Sequence, residues 1–143
     1  VKQNNIQNAK RKGAAGEAQF AADALSRGFN VLQPYGDFLS YDLIVENSEG
    51  KVFRVQIKTT AHKQKGKTNT YRVTAARGNK RIGKNKLTSR DADILAVYVV
   101  PEKTWYHIPV ENVTCAAVHM RPTEESSAQY EIWKEAWNVY HKK

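Results

Sequence analysis

An acid, a carboxamide and an ammonium stand close together in the run Tyr41-Asp42-Leu43-Ile44-Val45-Glu46, Asn47-Ser48-Glu49-Gly50, Lys51-Val52-Phe53-Arg54-Val55-Gln56-Ile57-Lys58. Two stretches rich in apolar and β-branched residues flank a turn of Asn, Ser and Gly, which predicts an antiparallel hairpin. Folding it about Ser48 and Glu49 brings Asp42 opposite Val55 or Gln56, one residue of loop length deciding between them. Side chains alternate along the second strand, so Val52, Arg54, Gln56 and Lys58 share one face while Phe53, Val55, Ile57 and Thr59 share the other. With the apolar face on the core, the Lys58 ammonium can sit close to a metal held by Asp42 and the Gln56 oxygen. Such a centre could hydrolyse a phosphodiester.

The elements that must position these groups start with a helix. An Ala-rich segment from about Gly13 to Arg27 has strong helix propensity and ends at Gly28 as a C-terminal cap, with Ala14, Ala18, Ala21, Ala22 and Leu25 as its inward stripe. Glu17 lies within that stripe, flanked by Ala14, Phe20, Ala21 and Ala24. It reads either as an exposed first-turn acid favoured by the helix dipole or as a carboxylate leaning over the sheet.

In their order and element types, the helical Glu17, Asp42 at a strand start and Gln56-Ile57-Lys58 on the next strand resemble the PD-(D/E)xK nuclease superfamily, over roughly Gly13 to Val110. The usual acid-x-Lys element stands here as Gln-x-Lys. In the setting Tyr-Asp-Leu-Ile-Val and Phe-Arg-Val-Gln-Ile-Lys-Thr it is most similar to the branch containing a cyanobacterial intron-encoded homing endonuclease. The resemblance implies an α/β, restriction-endonuclease-like fold, a central mixed β-sheet flanked by an N-terminal and a C-terminal helix. It implies a catalytic set of Glu17, Asp42, Gln56 and Lys58, of which Asp42, Gln56 and Glu17 hold Mg²⁺, with Mn²⁺ as a substitute. Lys58 would orient the attacking water or stabilise developing negative charge, and the product would carry a 5′-phosphate. Gln56 in place of a carboxylate removes one negative charge, so metal affinity should be weaker than in an acid-x-Lys site. The expected activity is site-specific homing-type cleavage of double-stranded DNA by a homo-oligomer, a dimer or tetramer, since symmetry extends the reach of a small domain. A Holliday-junction resolvase of the same superfamily and a non-catalytic DNA-binding module are the alternatives.

Composition sets the bounds. A chain of 143 residues, 41% of them hydrophobic, suits one folded domain. Lys and Arg outnumber Asp and Glu by 23 to 14, a formal charge of +9 that favours a polyanionic partner, with nucleic acid the leading candidate. Cys115 is the only cysteine, so an intramolecular disulfide is excluded and a cysteine-ligated zinc site is not expected. The longest apolar run, Ile94 to Val100, is too short to span a bilayer and no signal-peptide core is visible, which points to an intracellular, cytoplasmic or nucleoid-associated protein.

The rest of the chain frames these groups. Residues 1–12 read as a flexible basic arm ahead of one domain over 13–143. Asn30 to Gln33 predicts a short strand, followed by a turn at Pro34-Tyr35-Gly36-Asp37. Ser40 and Asp37 lie near the strand carrying Asp42, Asp37 being read as a turn former. Lys63, Lys65 and Lys67 form an exposed basic loop, expected to bind DNA, before a strand over Asn69 to Ala75. His62 is read as a surface residue. The segment 77–90 carries Arg77, Lys80, Arg81, Lys84, Lys86 and Arg90 and reads as an arm on the DNA backbone. Ile94 to Val100 predicts the central buried strand, and Asp91 and Asp93 before it are read as strand-entry and turn acids. Strands are also expected over Thr104 to Val110 and Thr114 to Met120. A final helix follows, opened by Thr123 with Glu124 and Glu125 and bearing the stripe Ile132, Trp133, Ala136, Trp137 and Tyr140.

Overall fold

Alternation along residues 52–60 specifies both faces of one strand, and the fold is assembled around it. A computed structural model describes residues 2–67, 69–77, 85–123 and 128–141. Helix α1 (Lys2–Ser26) is followed by β1 (Asn30–Leu32), β2 (Leu43–Glu46), β3 (Val52–Thr60), β4 (Tyr71–Thr74), β5 (Ala76–Arg77), β6 (Asn85–Lys86), β7 (Ile94–Val99), β8 (Thr104–Pro109) and β9 (Ala117–Met120). The main sheet has the order β1-β2-β3-β7-β8, with β3 and β7 parallel and the other pairs antiparallel. It is therefore a mixed sheet. Strands β4 and β9 form a separate antiparallel pair, as do β5 and β6.

The predicted hairpin is present, and its register is fixed by the turn. Asn47 is buried; its Oδ1 accepts from the N–H groups of Glu49 and Lys51, and its Nδ2 donates to the Tyr140 carbonyl. Gly50 closes the turn at φ +80, a left-handed conformation that glycine adopts without steric cost. Leu43 then pairs with Val55, which puts Asp42 level with Gln56. Phe53, Val55 and Ile57 are buried beneath α1, while Arg54, Gln56 and Lys58 are half-exposed on the alternate positions. The run expected to be the central strand, β7, feeds cores on both sides, Ile94 and Ala96 on one and Leu95, Val97 and Val99 on the other. The middle place belongs to β3.

Helix α1 is rotated from the stripe its alanines predict. Ala14, Ala18 and Ala22 are exposed and Leu25 is 56% exposed, whereas Gly16, Phe20 and Ala24 are buried. Phe20 decides this, because one large aromatic gains more from burial than several alanines. Its ring meets Trp105 edge-on at 5.3 Å and stacks on Trp137 at 5.7 Å. Asp23 adds a lateral anchor by accepting from Trp105 Nε1 at 2.8 Å. Gly16 lets the helix approach β3, since a Cβ there would collide with Thr59 Cγ2. The helix also runs back to Lys2, so the segment expected to be a flexible arm over residues 1–12 is helical from Lys2 onward.

The expected C-terminal helix is absent among the described residues. Two 3₁₀ turns, Glu131–Trp133 and Trp137–His141, take its place. Glu135 between them has φ +51, its N–H donates to the Trp105 carbonyl, and its carboxylate accepts from the N–H of Trp105 and from Trp137 Nε1. Hydrogen bonds to the edge of β8 have displaced the helical ones. Trp137 and Tyr140 are buried in the aromatic cluster, but Ile132 is 76% exposed, so the single stripe is not realised. Glu124 and Glu125 lie outside the described residues.

Candidate active site

Asp42 stands at the mouth of β2, held to β3 by two hydrogen bonds. Its N–H donates to the Val55 carbonyl at 2.9 Å and its Oδ2 accepts from the Ile57 N–H at 2.7 Å. The carboxylate thus extends the ladder into the gap between Gln56 and Lys58. Burial raises its pKa above the ordinary carboxylate range, the Ile57 N–H and the Lys58 ammonium opposing this only in part. Asp42 and Lys58 therefore share a neighbourhood.

Gln56 is tied to the loop that precedes Asp42. Its Nε2 donates to the Ser40 carbonyl at 3.1 Å, and Ser40 Oγ donates in turn to the Asp91 carbonyl at 2.6 Å. The Gln56 Oε1 atom is buried with no hydrogen-bond partner. A buried carbonyl oxygen left unpaired costs stability, and a cation or an N–H or O–H donor would satisfy it. Arg54, on the same face, is occupied with Asp93: the Arg54 N–H and Nε donate to Oδ2 and Nη2 to Oδ1, while Nη2 and Nη1 also donate to the Ser89 and Arg90 carbonyls. Burial pushes Asp93 up, but Arg54 outweighs it and holds the carboxyl below its usual range. Asp91 accepts from the N–H and Oγ1 of Thr88. Both acids are committed to the fold, as their reading as strand-entry and turn acids anticipated.

Glu17 follows from the seating of α1. With Gly16 against Thr59 and Phe20 in the core, the residue between them is half-buried on the side facing Asp42. Burial raises the Glu17 pKa and the Asp42 carboxylate raises it further. An acid whose ionisation a neighbouring carboxylate opposes gains from a cation shared between the two. Among the described residues no group of three or more His, Cys, Asp and Glu could hold a metal ion. The candidate donor set is two carboxylates and an orphaned carboxamide oxygen, hard oxygen donors that fit Mg²⁺.

The residues expected to touch DNA are less tightly grouped. Lys63, Lys65 and Lys67 are exposed on the loop between β3 and β4, Lys63 Nζ donating to Asn69 Oδ1. Lys86 and Arg90 are exposed, and the backbone of Arg77 pairs with Asn85. Lys80, Arg81 and Lys84 lie outside the described residues. Sequence reasoning missed a further cationic group, in which Arg72 of β4 lies opposite His119 of β9, with Lys67 and Arg121 close by. Burial lowers the His119 pKa, followed by those three charges. The two strands are far apart in sequence, so only their pairing brings the group together.

A family model described as PD-(D/E)XK endonuclease matches residues 7–140. Among solved structures, a bacterial homing endonuclease, I-Ssp6803I, is 27% identical with a TM-score of 0.75, the match covering 91% of this chain and 90% of that one. The Holliday junction resolvase Hjc of the archaeal hyperthermophile Archaeoglobus fulgidus is 15% identical with a TM-score of 0.56, covering 92% and 98%. That second likeness is one of fold. No curated protein matches the chain.

Proposed function

This chain belongs to the PD-(D/E)XK endonuclease family, and on that premise we propose that it is a Mg²⁺-dependent, site-specific DNA endonuclease of the homing type, working as a homo-oligomer on double-stranded DNA. One observation carries the reading: the Asp42 carboxylate, in the electrostatic reach of both Glu17 and Lys58, lies level with Gln56, whose buried oxygen has no partner.

Asp42, Gln56 Oε1 and Glu17 would hold the ion, which when bound supplies Lewis acidity toward the phosphate and lowers the pKa of a coordinated water. Asp42 can do this only ionised, and the Ile57 N–H fixes its orientation beforehand. Lys58 contributes a positive charge that steadies the anionic transition state or orients the attacking water. Gln56 contributes an oxygen without a charge, and its bond to the Ser40 carbonyl restrains the loop before Asp42. The ordering of homing above junction resolution is supported by the higher identity and TM-score of the homing endonuclease. Cleavage of supercoiled plasmid, linear duplex and four-way junctions with Mg²⁺ tests both steps. Cutting of duplex over junction is expected, a strong junction preference would turn the assignment to a resolvase, and no cutting of any substrate would remove the nuclease.

A further inference from the structure

A cleft of about 570 Å³ opens where α1 crosses the end of β3, lined by Lys12, Gly16, Thr59, His62, Arg72 and Tyr98 among others. Its helical wall is built from Lys12, Ala15, Gly16 and Gln19, a single face at the three, four and seven spacings. Glu17 is turned roughly 100° away from Gly16 about the helix axis, so the cleft and the proposed metal site lie on different flanks of α1.

The cleft has an unbalanced charge. Lys12 and Arg72 face it with His62 beside them, and no carboxylate lines it. Neither Lys12 nor Arg72 has an acidic partner among the described residues. Arg72 also stands opposite His119 with Lys67 and Arg121 near, so three fixed positive charges gather about one imidazole, an arrangement that costs stability until an anion joins it. Beside the cations, Ala15, Ala61 and Val100 supply an apolar wall. An anion alone would leave that wall unused, whereas a phosphodiester joined to its sugar would cover both.

We infer that this cleft seats a backbone phosphodiester of the DNA, distinct from the one that is cut, with Lys12 and Arg72 as its phosphate-binding side chains and His62 at its edge. The inference rests on the nuclease reading and extends it. Thr59 and Thr60 end the strand that carries Lys58, and Ala61 and His62 follow; at about 3.3 Å per residue the cleft begins roughly 3 Å beyond the proposed catalytic lysine along the strand axis, on the face of the sheet that α1 covers. Duplex DNA advances about 3.4 Å per nucleotide of each strand. The seated phosphate is therefore within a few nucleotides of the scissile bond.

The test is the salt dependence of binding to a short fluorescent duplex, measured in Ca²⁺ for the full chain and the Lys12→Gln/Arg72→Gln double variant. Each lost phosphate contact lowers the log-log slope by roughly 0.9, so the pair should lower it by about 1.8 and weaken binding about tenfold or more near physiological salt. Lys103→Gln, a loss of charge on the turn before β8, should leave the slope unchanged. Both cleft side chains are exposed, so an unchanged melting temperature certifies the fold. An unchanged slope in the double variant, or an equal fall with Lys103→Gln, overturns the proposal. A reduced slope in a protein that cuts no DNA keeps the cleft and removes the nuclease, while an unchanged slope in a protein that cuts removes the cleft alone.

Discussion

The Asp42 carboxylate accepts the backbone N–H of Ile57 at 2.7 Å, so the acid is fixed by the residue that lies between Gln56 and Lys58. Mobile side chains need not find one another, because a main-chain N–H of the neighbouring strand has already aligned the carboxylate. The spacing of the centre is a property of the hairpin register.

Asp42→Asn separates charge from geometry, because the carboxamide oxygen can still accept from Ile57 while the negative charge is gone. Cleavage should fall by about 100-fold or more. Metal-free stability at neutral pH should hold or rise, since burial makes the ionised carboxyl unfavourable. Plasmid-cutting rates and chemical denaturation, run side by side, check the two halves.

Metal binding should weaken on acidification sooner than ordinary carboxylates would require. Burial raises Glu17 and Asp42, and both must lose protons to hold a cation. The sign for folding is opposite. With folded pKa values above the unfolded ones near 4, the folded chain binds protons more tightly, so these groups destabilise it as pH climbs through that window. Calorimetric titration of Mn²⁺ across pH, for the natural chain and Glu17→Gln, should show affinity falling above the usual carboxylate range and a shallower dependence in the variant.

Gln56→Glu restores a carboxylate at the second position and tests why a neutral side chain is used. Added charge should tighten Mg²⁺ binding by about tenfold, from about 1.4 kcal/mol of extra attraction. The same change removes the donor to the Ser40 carbonyl and sets a third acid near Asp42 and Glu17, so the metal-free protein should melt lower. Titration and melting with and without Mg²⁺ would expose the trade.

Acid should unfold the protein through His107 as well. Its ring is fully buried among aromatics, Nδ1 lies 3.0 Å from the Tyr140 hydroxyl, and burial lowers its pKa to about 3. The unfolded imidazole titrates near 6.5, so between these values the unfolded chain holds more protons and stability declines as pH falls. His107→Gln should flatten that decline, read from denaturation midpoints between pH 4 and 7.

Much of the candidate site was legible because it lies on one hairpin. Alternation in β3 and a turn with Asn47 and Gly50 determine which side chains share a face, and neither depends on the rest of the chain. The rotation of α1 was less legible: alanines at 14, 18 and 22 and the set Gly16, Phe20 and Ala24 offer competing stripes, and only the partners Trp105 and Trp137 choose between them. Glu17 nevertheless kept its place, since it borders both stripes. The C-terminal segment had a helical pattern, yet Glu135 is bound to the edge of β8, a tertiary contact that no local periodicity encodes. The gathering of Arg72, Lys67 and Arg121 about His119 was hidden for the same reason.

The most direct measurement compares the natural chain with Asp42→Asn and Lys58→Ala in Mg²⁺ on supercoiled plasmid, duplex and four-way junction. The proposed centre requires that the natural chain cut at least one of them, that EDTA stop it, and that each variant lose about 100-fold or more while still binding DNA in Ca²⁺. Intact substrates throughout, or variants that cut as fast as the natural chain, would contradict it.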